Sequence, residues 1–92
     1  MKYKVNLTKQ AELDLAELRK QGNRAALEKI NTLLIELETQ PETGTGMPKQ
    51  LQGDLAGFWS RRIVGKHRLI YSVHYDIVTV FVVSMLGHYY DK

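Results

Sequence analysis

The 92-residue chain contains no cysteine. Disulfides, thiolate metal sites and a catalytic thiol are thereby excluded, and a reducing compartment fits. Proline is scarce: Pro41 and Pro48, both within one short stretch. No apolar run approaches the roughly 20 residues that span a bilayer. The opening MKYKVNLTKQ lacks the apolar stretch of a signal peptide. The expectation is a soluble, cytoplasmic protein with no membrane contact. Acidic residues run short in the second half. Residues 1–42 hold seven basic and seven acidic side chains; residues 43–92 hold six basic and three acidic. The whole net charge of +3, and all three histidines, therefore lie in the second half. A basic half beside a neutral one suggests an anionic partner on one face.

What is present is ordinary globular composition, 43% hydrophobic and 25% charged, in a length that makes one domain, 1–92. Tyr3 to Leu7 alternates apolar and polar residues and predicts a strand. Thr8 offers an N-cap to a helix reading KQAELDLAELRKQG, with Ala11, Leu15 and Leu18 on one stripe. Its acids come early and its bases late, as the helix dipole favours. Asn23 caps a second helix to about Glu38, with Leu27, Ile30, Leu34 and Leu37 as its stripe and Leu33 and Ile35 widening it. The short link makes the pair a helical hairpin. Residues 39–56 form a long loop with a possible short strand around Lys49 to Leu51. Three strands follow: 58–64, 68–74 and the most apolar, 77–86, expected in the sheet interior. The order is β-α-α-β-β-β: an α+β fold with the helical hairpin on one face of a small, mainly antiparallel sheet and the other face left for function.

GFWSRRIVGKHRLIY, residues 57–71, crowds Arg61, Arg62, Lys66, His67 and Arg68 between core residues. Trp59, Arg61 and Ile63 share one strand face; Ser60, Arg62 and Val64 share the other. A strict two-residue turn at Gly65-Lys66 puts Arg62 and Arg68 on opposite faces. A three-residue loop with a bulge pairs Val64 with Arg68 and brings the two arginines to one face. The sequence leaves both registers open. Two guanidiniums on one face make a phosphate clamp, since each binds oxyanions through a planar fork and stays charged, or else form surface salt bridges to the helices; the residues alone favour neither.

GFWSRRI, HRLIY and the terminal HYY together resemble the YoeB/Txe toxins of bacterial toxin–antitoxin pairs, within the RelE/ParE superfamily. The upstream GTGMPKQLQGDLAGFWSRRI is similar to that family's GKGKPEPLKHxLSGFWSRRI. The resemblance implies a metal-independent endoribonuclease without cofactors. It would enter the ribosomal A site and cut mRNA by attack of the RNA 2′-hydroxyl on the adjacent phosphodiester. Such chemistry needs a base, cations for the phosphorane and an acid for the 5′ oxygen.

By the same resemblance Arg68 holds the scissile phosphate, Arg62 supports it, His88 is the general acid and Tyr89 stacks on a base or orients the phosphate. Arg61, Lys66 and Gln52 would contact RNA. Lys49 stands where the family carries its catalytic glutamate, and whether Lys49 or His88 serves as base stays open. His67 and His74 read as structural, Tyr71 as core, Trp59 as core or dimer interface, and no metal site is expected. The implied partners are a cognate antitoxin, the 70S ribosome with mRNA, operator DNA through the antitoxin complex, and a second copy of the chain. A ParE-like gyrase inhibitor and a catalytically impaired toxin or RNA-binding module are the alternatives.

Overall fold

The computed structural model describes residues 2–86. The elements run β1 (Lys4–Leu7), α1 (Lys9–Lys20), α2 (Arg24–Leu37), β2 (Lys49–Gln50), a 3₁₀ turn (Gly53–Leu55), β3 (Trp59–Arg62), β4 (Arg68–His74) and β5 (Thr79–Ser84). The strands form one sheet in the order β1-β5-β4-β3-β2. Only β1 and β5 pair in parallel; every other pair is antiparallel. The α+β architecture expected from sequence is thus the one observed. The most apolar strand, β5, lies inside the sheet, and β4 takes the middle place.

Both helices start where their caps predict. Thr8 Oγ1 accepts from Ala11 N–H at 3.2 Å, and Asn23 Oδ1 accepts from Ala26 N–H at 3.2 Å. The buried stripe of α2 is Ala26, Ile30, Leu33 and Leu37; Leu27 and Leu34 are only partly buried. Ile35 is exposed rather than widening the stripe. The helix is rotated so that the i, i+4, i+7 and i+11 row beginning at Ala26 meets the sheet. These residues, with Ala11 and Leu18 of α1, pack on Leu69, Tyr71, Val80 and Val82. The helices therefore cover one face of the sheet.

Asp14 of α1 was expected to serve only the helix dipole, but it is buried. Its Oδ2 accepts from Met85 N–H at 2.8 Å and Leu86 N–H at 3.4 Å; its Oδ1 accepts from Gln10 at 2.8 Å. These amides follow the end of β5, where they lack a ladder partner among the described residues, so the carboxylate holds the backbone just past the strand. Met85 is fully buried there.

Replacing Asp14 with alanine strands those two amides. Asp14→Ala is expected to lower unfolding stability by about 1–3 kcal/mol with an unchanged denaturant slope, measured by urea unfolding.

Candidate functional site

The hairpin of β3 and β4 takes neither of the two registers considered from sequence. Arg62 pairs with Arg68, Arg61 with Leu69, Ser60 with Ile70 and Trp59 with Tyr71. Glycine does stand first in the turn: His67 N–H donates to Val64 O at 2.9 Å around Gly65, whose φ is +56°. One further bond, Ile63 N–H to His67 O at 3.1 Å, shifts the strands by a residue. Directly opposed residues share a face. Arg62 and Arg68 therefore stand side by side, with Cα atoms about 4.5–5.5 Å apart.

β2 adds a third cation. Lys49 pairs with Ser60, which pairs in turn with Ile70. That row lies one same-face step from the Arg62–Arg68 row. The result is a cleft of about 220 Å³ lined by Met47, Lys49, Leu51, Ser60, Arg62, Arg68 and Ile70. It opens on the face opposite the helices. None of these lining residues carries a carboxylate. Among the described residues, none of its three cations is in an ion pair. Arg68 Nη1 is buried and has no hydrogen-bond partner among the described residues. Three like charges around one cavity produce a field that favours an anion.

Arg61 points the other way, and its expected contact with RNA is corrected. It is completely buried. Its Nε donates to Tyr71 Oη at 3.1 Å. Nη1 donates to Glu36 Oε1 at 2.9 Å and Thr45 O at 3.3 Å; Nη2 donates to Gln40 O and, at 2.7 Å, to Thr43 O. A guanidinium has five N–H donors, and all five are used. Nothing is left for a ligand. Arg61 alternates with Arg62 along the strand and so must face the helices when Arg62 faces the cleft.

The carbonyls that Arg61 gathers belong to the loop leading into β2. Tyr71 O–H donates to Pro41 O at 2.8 Å, Thr45 donates to Glu36 through both its amide and its hydroxyl, and Arg62 N–H donates to Gly46 O at 2.7 Å. The loop packs so tightly that glycine is required. A Cβ at Gly46 would lie 2.9 Å from Arg62 O, and its φ is +86°. One at Gly44 would lie 2.5 Å from Glu36 Oε1. This network sets where Met47 and Lys49 stand relative to the arginines.

Lys66 and Gln52 are exposed and do not line the cleft. His67 is half-buried at the turn, and its Nδ1 has no partner among the described residues. His74 Nε2 lies 2.9 Å from Ser72 Oγ and meets the Phe81 ring edge-on. Tyr71 is core, with burial holding its hydroxyl above the ordinary tyrosine range. Trp59 lies nearly parallel to it, centroids 6.4 Å apart. His88 and Tyr89 lie outside the described residues. Glu36 and the apolar members of the cleft were not singled out from sequence. Gly44, Gly46 and Pro48 closely spaced around Met47 were the signal that this loop is shaped rather than loose.

The Glu36 carboxyl is held below its ordinary value of 4.5, chiefly by the Thr45 hydroxyl and further by the Thr45 amide and Arg61, against the effect of burial. A depressed folded value contributes stability above the unfolded value and loses it as pH falls through the folded one. The wild type is therefore expected to lose stability below about pH 4.5 more steeply than Glu36→Gln. Urea midpoints measured between about pH 3 and pH 7 check this.

The sequence matches, over residues 8–89, the family described as the YoeB-like toxin of bacterial type II toxin–antitoxin systems. Toxin YoeB of Mycobacterium bovis is 43% identical over 59 residues, covering 64% of this chain and 69% of the relative. The YoeB/ParE toxin from Agrobacterium tumefaciens superposes with a TM-score of 0.84 and 34% identity, covering 94% of this chain and 99% of that one. Staphylococcus aureus YoeB, solved in a YoeB–YefM complex and as a dimer, superposes with a TM-score of 0.79 in both, at 31% and 30% identity. Both cover 97% of this chain and 100% of theirs. By a match that spans nearly its whole length and by the likeness of its fold, this chain belongs to the YoeB-like toxin family of bacterial type II toxin–antitoxin systems.

Proposed function

We propose that this toxin is a ribosome-dependent mRNA endoribonuclease acting by 2′-hydroxyl attack. The supporting observation is the cleft itself: Lys49, Arg62 and Arg68 converge on one cavity without a counter-charge among its lining residues. In the reaction the 2′ oxygen bonds to phosphorus, the bond from phosphorus to the 5′ oxygen breaks, and negative charge builds on the phosphorane. Fixed cations placed where that charge develops lower the barrier most. Arg68 is half-buried, so its charge is less screened, and it contacts the phosphate; Arg62, more exposed, supports it. His88 is the proposed acid for the 5′ oxygen and Tyr89 its neighbour on the substrate. Lys49 occupies the place of the family's glutamate beside the two arginines. As the base, Lys49 would take the proton from the 2′-hydroxyl as that oxygen bonds to phosphorus. Lys66 and Gln52, outside the cleft, are proposed to contact RNA away from the scissile bond.

The cognate antitoxin is proposed to neutralise these cations with an acidic segment, as a partner to be displaced before RNA can enter. The S. aureus relative is described in complex with YefM and as a dimer, which supports an antitoxin complex and self-association here. Operator DNA would be reached through that complex.

Primer extension on an mRNA translated in vitro tests the proposal. Wild type is expected to give codon-phased cuts that require ribosomes. Arg68→Ala is expected to reduce them about 10²–10³-fold while the fold is retained. Lys49→Ala is expected to reduce them as well. No ribosome-dependent cuts from folded wild type would sink the ribonuclease assignment, and induction of the DNA-damage response would then point to gyrase.

A further inference from the structure

The cleft is chemically divided. Lys49, Arg62 and Arg68 are cationic, whereas Met47, Leu51 and Ile70 are apolar. A site for phosphate alone has no use for an oily wall. At about 220 Å³ it is also smaller than the roughly 300–1,000 Å³ of pockets that enclose a whole small ligand. It suits a piece of a larger molecule that carries an anion and an apolar face close together, as one nucleotide of a strand does.

Met47 is the telling member. It is 69% exposed, so it contributes little to the core. Its φ is +55°, a left-handed conformation that a non-glycine residue enters only at a cost. One neighbour is fixed: Gly46 accepts through its carbonyl from Arg62 N–H. The other, Pro48, favours extended backbone at the residue before it, so it adds to the cost of the left-handed turn rather than relieving it. An exposed thioether held in a strained backbone, at the rim of a cationic cleft, has no explanation in packing. It has one in a ligand: methionine is polarizable and adapts its shape to an aromatic ring.

We propose that Met47 and Leu51, backed by the buried Ile70, form a wall on which a nucleobase packs, so that the cleft takes base and phosphate of one RNA nucleotide together; this rests on the ribonuclease assignment above. Met47 is then a determinant of how strongly a base is held, separate from the arginines that hold the phosphate.

The test is an NMR titration of the isolated chain with adenosine 3′-monophosphate and, separately, with ribose 5-phosphate. Wild type is expected to bind the nucleotide more tightly than the sugar phosphate. Met47→Ala is expected to weaken nucleotide binding about 3- to 10-fold and to leave ribose 5-phosphate unchanged, while Met47→Leu restores most of the loss. Because the side chain is exposed, the variant's amide spectrum is expected to match wild type away from the loop. Ribose 5-phosphate and nucleotide bound equally well, or equally affected by Met47→Ala, would overturn the base wall and leave the ribonuclease assignment standing. A Met47-dependent preference for the nucleotide without ribosome-dependent cleavage would do the reverse. Failure of both probes to shift cleft resonances would overturn the base wall, with the cleavage assay deciding the ribonuclease assignment separately.

Discussion

The structure depends on one buried guanidinium. Arg61 is wholly enclosed and spends all five of its donors on Glu36, Tyr71 and three loop carbonyls. Desolvating a charge is expensive, and a buried ion pair is weak grounds for claiming added stability. Its effect here is positional. A loop with two prolines and two glycines in residues 41–48 would otherwise sample many paths at a conformational cost of roughly 1–2 kcal/mol per residue ordered. Gathering its carbonyls around one cation selects a single path.

That path decides where the site is. The loop delivers Met47 and Lys49 to the edge of β3, and the register of β3 against β4 sets Arg62 beside Arg68. Because side chains alternate along a strand, burying Arg61 on the helix side obliges Arg62 to face the cleft. The two adjacent arginines thus divide the labour. One organises the loop from inside, and the other lines the cleft from outside. The same alternation separates a hydrophobic core on one face from three cations without an ion pair among the described residues on the other, an asymmetry that attracts a polyanion.

The fold was legible because its signals are local. Thr8 and Asn23 announce the helix starts, leucine spacing marks their inner faces, and alternation marks the strands. The site was half legible. Arg62, Arg68 and Lys49 come together as the family resemblance implied, whereas the residues alone left the arginines' faces open. Arg61 was misplaced because composition does not say which of two neighbouring arginines turns inward; that follows from a hairpin register that two alternative loops left undecided. Asp14 and Glu36 were overlooked for a related reason. Their partners lie 71 and 25 residues away, and no periodicity within a helix reports a contact at such range. Ile35 shows the same limit on a smaller scale: an apolar residue at the border of a stripe faces inward or outward according to the helix's rotation on the sheet.

The most direct measurement is amide hydrogen exchange in an Arg61→Met protein. The Arg62 amide reports the loop, since it donates to Gly46 O, while Val80 and Val82 amides report the sheet. If Arg61 holds the loop in place, the Arg62 amide loses protection while the β5 amides keep theirs relative to global stability. An Arg62 amide as well protected as in wild type would contradict that role and leave Arg61 as a buried charge without a positional task.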